Sequence, residues 1–158
     1  MAKKYWLMKS EPETYSIDDL ERDKTTWWDS IRNYQARNFM TKEMKKGDMV
    51  IFYHSNATPP GIAGLATVTS DKAVADPLQF DKKSKYFEPR ASKDKIVWEC
   101  VELGFKEKFK TFVSLPELKE EKSLSEMRLL QKGNRLSILP LQKSEFTKLC
   151  KLAGSTII

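Results

Sequence analysis

The segment Met49–Tyr53 limits the folds open to this chain more than any other stretch. It is a nearly continuous apolar run that directly follows the turn-forming sequence Lys46–Asp48. A short run of this kind indicates a β-strand that is covered on both faces. Ser55–Pro60 predicts a loop, and Gly61–Thr69 predicts a second strand, antiparallel to the first. Gly64 inside that second strand indicates a bulge or the close approach of another backbone. The fold therefore contains a buried sheet with covering elements on both sides.

The other predicted elements surround this sheet. The pattern predicts a strand over residues 4–9, a short extended piece at Trp27 and Trp28, a strand over 96–105 that continues past a bend over 106–113, and a last strand over 135–139. It predicts helices over 33–45 and 144–153, and short helices that begin after Ser16, Ser114 and Ser123. Residues 76–95 have no clear period and predict a long, partly ordered loop. About six strands interleaved with short helices predict one α+β domain over residues 1–158, built round a small, strongly curved sheet.

Composition narrows the class of protein. The chain has 158 residues, of which 40% are hydrophobic and 32% charged, enough for a substantial core. No apolar run approaches about 18 residues, and the early lysines do not fit a signal peptide, so we expect a cytoplasmic protein without a membrane segment. Cys100 and Cys150 have no Cys or His at ligand spacing, which predicts reduced, buried thiols and no metal or cofactor. The net charge of +6 favours an anionic partner such as nucleic acid, although many cytosolic proteins share it.

The run Trp28–Asn38 places unusual polarity where a helix should begin. At roughly 100° per residue, Ala36 and Met40 lie on an apolar stripe, and Asn33 and Arg37 fall inside that stripe. An unpaired polar group that faces a core costs about 1–3 kcal/mol. The pattern therefore predicts a polar pocket with a bound ligand at the N-terminal end of the helix.

Catalysis finds little support in the residues. His54 is the single histidine, and Ser55 follows it directly. Adjacent residues on a strand point to opposite faces, so the two do not make a nucleophile–base pair. No G-x-S-x-G elbow, P-loop or dinucleotide fingerprint is present. A structural histidine and a ligand contact are equally good interpretations of His54, and we predict a protein that is not an enzyme.

Binding of a single base fits the aromatic and polar residues better. Trp6 and Trp27 are predicted to be core residues. Trp28, beside Asp29, is predicted to be a half-exposed ring that stacks on an extruded base, a contact worth about 1–3 kcal/mol. Three basic residues are candidates for contacting the flanking phosphates, namely Lys9, Arg32 and Arg37. A solvated surface charge is an equally good interpretation of Lys9 and Arg32, whereas the helical spacing directs Arg37 inward.

Several segments, in order along the chain, resemble the EVE domain. They are Tyr5–Pro12, Trp28–Phe39, Phe52–Asn56, Pro60–Gly64 and Arg135–Ser137. The resemblance runs from Tyr5 to about Phe146 and is to the small stand-alone bacterial form of the family. It implies a PUA-like pseudobarrel, related to the YTH and ASCH domains. It also implies a pocket for a modified base, with modified cytosine in DNA as the expected ligand.

The resemblance also implies residue roles. Lys9, Ser10 and Trp28 are similar in place and type to residues that line the base pocket of YTH domains. The expected base-binding set is Ser10, Trp28, Asn33, Arg37, Tyr53, His54 and Ser55, with Lys9 and Arg32 on phosphate and with Arg135 and Ser137 matching the family's C-terminal strand motif. Ser30 stands where the family usually has glycine, which permits positive φ or close ligand approach. The serine would then narrow the pocket or add a donor.

The sequence thus predicts a non-enzymatic, monomeric binder of DNA or RNA that carries a modified base. It predicts no membrane, metal or cofactor partner. Three alternatives remain open at this point. They are an RNA-binding protein that acts on modified tRNA or rRNA, a small-molecule or nucleotide sensor, and a minor hydrolase that depends on His54.

Overall fold

One mixed six-stranded sheet organises the chain, whose computed structural model describes residues 3–158. The strands, numbered along the chain, are β1 (Tyr5–Ser10), β2 (Thr25–Trp27), β3 (Met49–His54), β4 (Gly61–Val68), β5 (Val74–Ala75), β6 (Glu99–Cys100), β7 (Glu102–Ser114) and β8 (Ile138–Leu141). Of these, β5 and β6 pair with each other in a separate two-stranded sheet. The α-helices are α1 (Ile17–Asp23), α2 (Tyr34–Asn38), α3 (Leu115–Lys119) and α4 (Lys143–Leu152). A π-helical turn covers Phe39–Glu43, and short 3-10 helices cover Pro77–Phe80, Lys122–Leu124 and Arg128–Leu130.

The strand β3 lies near the middle of the sheet, whose order is β2-β7-β4-β3-β1-β8. It pairs in parallel with β1 and antiparallel with β4. Val50 and Phe52 belong to one hydrophobic cluster with Trp6, while Ile51 belongs to a second cluster with Phe146 of α4. Covering elements therefore bury both faces of β3, and the α+β prediction is confirmed. The sheet curls into a half-barrel with short helices around it.

Gly64 allows a close approach at the centre of this sheet. A Cβ atom at this position would clash with the Ile17 side chain and lie 2.6 Å from the main-chain oxygen of Glu107. The register also shifts between Ile62 and Gly64 in β4 and between Phe52 and Tyr53 in β3. Both the predicted bulge and the predicted close approach are confirmed, and they bring the start of α1 against the sheet.

Several predicted elements differ in the structure. The strand predicted over 96–105 is wrong over 96–98 and is confirmed at Glu99–Cys100, which form β6. Over 97–98 the buried Gln79 side chain takes the main-chain hydrogen bonds: its amide donates to the Trp98 oxygen and accepts from the N–H groups of Val97 and Trp98. A separate strand, β7, begins at Glu102 and runs to Ser114. The capping box predicted at Ser123 is also wrong, since Ser123 Oγ donates to Glu121 Oε1 and only a 3-10 turn forms.

The helix predicted over 33–45 is divided in two, since α2 gives way to the π-helical turn, where the Met44 N–H donates to the Phe39 oxygen. The last strand begins at Ile138 and not at residue 135. By contrast, the capping boxes at Ser16 and Ser114 are confirmed.

The two cysteines are buried and free, as predicted. Burial raises the pKa of Cys100 and of Cys150 to about 12, so both are poorly reactive thiols in the folded chain. Among residues 3–158, no helix is long and apolar enough to cross a membrane. The same residues contain no group of three or more His, Cys, Asp or Glu side chains that could hold a metal ion.

Candidate functional site

A cavity of about 510 Å³ lies where the end of β1, the strand β2 and the loop between β5 and β6 meet. This volume is typical of sites that take a small molecule or a single base. Its walls come from three segments of the chain, and the lining residues are Lys9, Ser10, Glu11, Thr14, Tyr15, Thr26, Trp27, Trp28, Asp29, Ser30, Ile31, Lys85 and Tyr86. Of the predicted site residues, the cavity therefore brings together Lys9, Ser10, Trp28 and Ser30.

The first wall is the end of β1 and the turn after it. Ser10 Oγ donates a 2.6 Å hydrogen bond to the main-chain oxygen of Tyr15. The N–H groups of Thr14 and Tyr15 both donate to the Glu11 oxygen, which closes the turn. Ser16 then caps α1 together with Asp19. The Ser10 hydroxyl is thereby fixed in place and retains its acceptor capacity.

The second wall is the turn from Trp28 to Ile31. Ser30 has φ of +66°, a conformation that glycine adopts without strain and other residues rarely adopt. Its N–H donates a 2.7 Å hydrogen bond to Asp76 Oδ2. This positive φ is the backbone conformation that the glycine expected from the family resemblance would adopt freely. Ser30 therefore holds a backbone shape for which its side chain is poorly suited.

Two tryptophans line the cavity, and the structure reverses their predicted exposure. Trp27 is 41% exposed, although it was predicted to be a core residue, and Trp28 is 7% exposed, although it was predicted to be half-exposed. The Trp28 ring packs edge-on against Phe52, with centroids 5.6 Å apart. Successive side chains along an extended segment point to opposite faces. If one of two neighbouring tryptophans is assigned to the wrong face, the predicted exposures of both are therefore wrong. Trp28 is the buried wall of the cavity and Trp27 is its exposed aromatic.

Arg32 and Asp76 hold the third wall, which carries Lys85 and Tyr86. Arg32 Nη1 lies 2.9 Å from Oδ2 of Asp76, a residue that is 1% exposed. Arg32 Nε and Nη2 both donate to the Tyr86 oxygen, and Nη1 also donates to the Ile31 oxygen. The guanidinium is thus committed to ordering the loop. The phosphate contact predicted for Arg32 stays a prediction, and in the structure the guanidinium has all its observed partners within the chain.

Asn33 and Arg37 have partners inside the protein and lie outside the cavity. Asn33 is exposed, with extended φ and ψ, and its Oδ1 caps α2 by accepting a 2.9 Å hydrogen bond from the Ala36 N–H. Arg37 Nη1 donates to the Val97 oxygen at 2.8 Å, and its guanidinium lies 4.7 Å from the centroid of the Tyr34 ring. Placing Asn33 on the inward stripe was wrong because it precedes the first helical residue. Both side chains have hydrogen-bond partners, as the sequence required, but these partners belong to the chain itself and not to a ligand.

The motif at the end of β3 consists of Tyr53, His54 and Ser55, and the last two bond to the backbone of segments beside the cavity. His54 Nε2 accepts a 3.1 Å hydrogen bond from the N–H of Ile17, the first residue of α1. Burial lowers the pKa of His54, which favours the neutral imidazole that this bond requires. The Ser55 N–H donates to the Ser10 oxygen at 3.0 Å. Tyr53 is 3% exposed in the second hydrophobic cluster, where burial raises its pKa to about 12. None of these three predicted base-binding residues lines the cavity.

The predicted C-terminal pair also lies outside the cavity lining. Ser137 contributes its main-chain oxygen, which accepts a 2.8 Å hydrogen bond from the Lys9 N–H and continues the pairing of β1 with β8. Arg135 is exposed and precedes the strand. The structure therefore links the motif to the site only through the backbone beside Lys9.

The lining of the cavity balances its charges, with two lysines against two carboxylates. Burial lowers the pKa of Lys9, whose Nζ lies 5.9 Å from the centroid of the Tyr53 ring. Burial raises the pKa of Asp29, and the nearby Asp76 carboxylate raises it further. Glu11 Oε1 accepts a hydrogen bond from Asn56 Nδ2 at 3.1 Å. Such an interior suits a neutral polar group better than a phosphate.

The sequence interpretation missed Lys85, Tyr86 and the buried Asp76. The loop that carries them has no hydrophobic period, and its order comes from contacts distant in sequence. One local signal was available, since Asp76 precedes Pro77 and caps the following 3-10 helix by accepting from the Leu78 N–H. This signal indicates an ordered start to the loop but not its partner Arg32.

Comparisons with known proteins place this chain in one family. The EVE domain model matches residues 4–152. The chain is 40% identical to human thymocyte nuclear protein 1 over 161 residues, which covers 90% of this chain and 70% of that protein. The chain belongs to the EVE domain family.

Solved structures agree with this assignment. A crystal structure of a Pseudomonas syringae protein is 41% identical with a TM-score of 0.89, and the match covers 94% of this chain and 99% of that one. The human THYN1 protein in complex with DNA that contains 5-methylcytosine is 38% identical with a TM-score of 0.87, covering 96% and 98% of the two chains. The YTH domain of Mmi1, solved with RNA, has a TM-score of 0.57 at 16% identity over 98% and 80% of the chains, a likeness of fold alone. The PUA-like fold prediction is confirmed.

Proposed function

We propose that this chain is a non-enzymatic nucleic-acid-binding module that accepts one modified base, a modified cytosine of DNA, flipped out of the duplex into the cavity. The observation that carries the proposal is the cavity itself, whose two tryptophans and balanced charges suit a flat, neutral, polar ligand. A relative of the same fold, the human THYN1 protein, has been solved in complex with DNA that contains 5-methylcytosine. The flipped base would leave its phosphates outside, where the net charge of +6 favours them.

The proposed contacts follow from the positions of the side chains. Trp28 forms the buried wall against which the base lies, and Trp27 offers the larger exposed ring surface. Stacking on such rings contributes about 1–3 kcal/mol per base. The Ser10 hydroxyl and the residues of the Ser30 turn supply polar contacts at the base edge. In this arrangement the other predicted base-binding residues do not touch the base and act only through the surrounding structure. They are Asn33, Arg37, Tyr53, His54 and Ser55.

Lys9 and the exposed Lys85 are the proposed cations near the flanking phosphates. Lys85 Nζ lies 5.2 Å from the centroid of the Tyr86 ring at one side of the cavity. Lys9 enters from the end of β1 at another side. This pair takes over the role predicted for Arg32, whose guanidinium is bonded to the loop. The proposal also includes a monomer that acts on nucleic acid in the cytoplasm, at the nucleoid of a bacterial cell.

Fluorescence-anisotropy titration tests the proposal with matched duplexes that differ in one central base pair, carrying cytosine or 5-methylcytosine. We expect tighter binding of the modified duplex and weaker binding at higher salt. Trp27→Ala should lose most of the modification preference, because its exposed ring adds little to folding. Phe112→Ala is the matched control, since Phe112 is a similarly exposed aromatic outside the cavity lining.

The same titration separates the alternatives. A preference for modified RNA over DNA of the same sequence would reassign the native ligand to RNA. Tight binding of a free nucleoside without salt dependence would indicate a nucleotide sensor. Turnover of a nucleotide that disappears in His54→Ala would indicate a hydrolase. Equal binding of modified and unmodified duplexes by the unaltered protein would overturn base recognition.

A further inference from the structure

Asp29 lines the cavity with a carboxylate whose only hydrogen bond within the described part of the chain comes from its own backbone, in contrast to the fully buried acids of this fold. Asp48, Asp76 and Glu107 each accept at least three hydrogen bonds from other residues. Within residues 3–158, the Asp29 carboxylate accepts none from any other residue, although the residue is partly buried and lines the cavity. A partly buried carboxylate that faces a cavity of this size, with no hydrogen bond from another residue, is placed to accept one from a ligand in the cavity.

The charges around Asp29 favour a neutral donor over a cation. Arg32 is the nearest cationic influence, but its guanidinium is already bonded to Asp76 and to the Tyr86 oxygen. Lys9 and Lys85 balance Glu11 and Asp29 in the lining of the cavity, so a neutral ligand keeps this balance, and Asp76 repels the Asp29 carboxylate. An amino group attached to an aromatic ring is a neutral donor that a carboxylate accepts well. It also brings no charge that would have to be desolvated.

We propose that Asp29 is the specificity-determining residue of the cavity, and that it selects bases with an exocyclic amino group by accepting a hydrogen bond from that group. This inference rests on the proposed function and names what distinguishes its substrate. The ring shape and the 5-methyl group are common to 5-methylcytosine and thymine. At C4 the first carries an amino donor and the second a carbonyl acceptor. An acceptor placed at Asp29 attracts the former and repels the latter, so selection comes from repulsion as well as from attraction.

The discriminating probes are two single-stranded oligonucleotides that are identical except for one central residue, 5-methylcytosine or thymine. A single strand removes base pairing as a source of difference between them. We expect the unaltered protein to bind the 5-methylcytosine strand at least about tenfold more tightly, as a good base-edge contact provides. Asp29→Asn keeps the side-chain shape but adds an amide donor that suits the thymine carbonyl. The preference should then fall to within about threefold.

Glu13→Gln is the matched control, because it removes an exposed carboxylate that is close in sequence to the first wall but lies outside the cavity lining. It should keep the full preference, and both variants should keep the circular dichroism spectrum and melting temperature of the unaltered protein to within a few degrees. An Asp29→Asn protein that keeps the preference, or a Glu13→Gln protein that loses it equally, would overturn the assignment of Asp29 and leave base binding intact. An unaltered protein that binds the modified strand but does not prefer it to the thymine strand would also overturn it. Failure of the unaltered protein to bind the modified strand at all would overturn the proposed function as well.

Discussion

Arg32 Nη1 lies 2.9 Å from Asp76 Oδ2, and this pair joins two walls of the cavity that are distant in sequence. The same carboxylate oxygen accepts from the Ser30 N–H, so one buried acid fixes both the cavity turn and the start of the loop. The other side of the guanidinium donates twice to the Tyr86 oxygen. The shape of the cavity therefore depends on Arg32 and Asp76, although neither residue lines it.

Removal of this pair should loosen the loop. Arg32→Ala leaves the Asp76 carboxylate buried without its cation, and we expect a loss of about 3 kcal/mol in the free energy of unfolding. Urea denaturation measures this loss, and hydrogen exchange should show faster exchange of the Phe87 and Glu88 amides, whose N–H groups bond within the loop. Arg32→Lys is the control, because it keeps the positive charge but loses the two hydrogen bonds to the Tyr86 oxygen. A stable Arg32→Ala protein with a protected loop, altered only in the salt dependence of binding, would restore the phosphate role.

Ser30 offers a test of backbone strain at the cavity. Its φ of +66° costs a non-glycine residue on the order of 1 kcal/mol. Ser30→Gly removes that cost but adds freedom to the unfolded chain, so we expect a net change between zero and about 1 kcal/mol of stabilisation. Thermal unfolding measures it. The reverse change, Gly47→Ala, is a suitable comparison because Gly47 has φ of +95° with open space around it, and it should destabilise. Destabilisation by Ser30→Gly would mean that the hydroxyl makes a contact worth more than the strain.

Local patterns predicted the elements whose order is set by nearby residues. The apolar run of β3 and the capping serines Ser16 and Ser114 correspond to observed elements because their hydrogen bonds or burial follow from a few neighbours. The loop between β5 and β6 could not be predicted in this way. Its order depends on Gln79 and Asp76, which bond to segments about 20 to 50 residues away.

The site was predicted in part for the same reason. Ser10 and the turn at Ser30 lie directly in the family motifs and do line the cavity. Asn33 was misplaced because its side chain was treated as part of the helix, whereas a capping residue has extended backbone angles and lies outside the helical face. The tryptophan pair was misassigned because a strand pattern alone does not say which of two adjacent rings faces the core.

Trp28 should matter more for stability than Trp27. Trp28 is 7% exposed and packs against Phe52, so Trp28→Ala should cost about 3–5 kcal/mol in the free energy of unfolding. Trp27→Ala removes a ring that is 41% exposed and should cost less than about 1 kcal/mol. Urea denaturation of the two variants, followed by circular dichroism, gives both values. Equal costs would contradict the assignment of one ring to the core and the other to the cavity surface.

His54 should give the fold a stability that depends on pH. Its neutral Nε2 accepts from the Ile17 N–H, and burial lowers its pKa below the ordinary value of 6.5. The unfolded chain therefore binds a proton more readily than the folded one, so this contribution is fully present above pH 6.5 and is lost as pH falls through the folded pKa. Melting temperatures measured across this window should fall on acidification in the unaltered protein. The melting temperature of His54→Gln, which keeps an acceptor near Ile17 but does not titrate, should fall less over the same pH window. An identical pH profile in the two proteins would show that His54 does not couple protonation to folding.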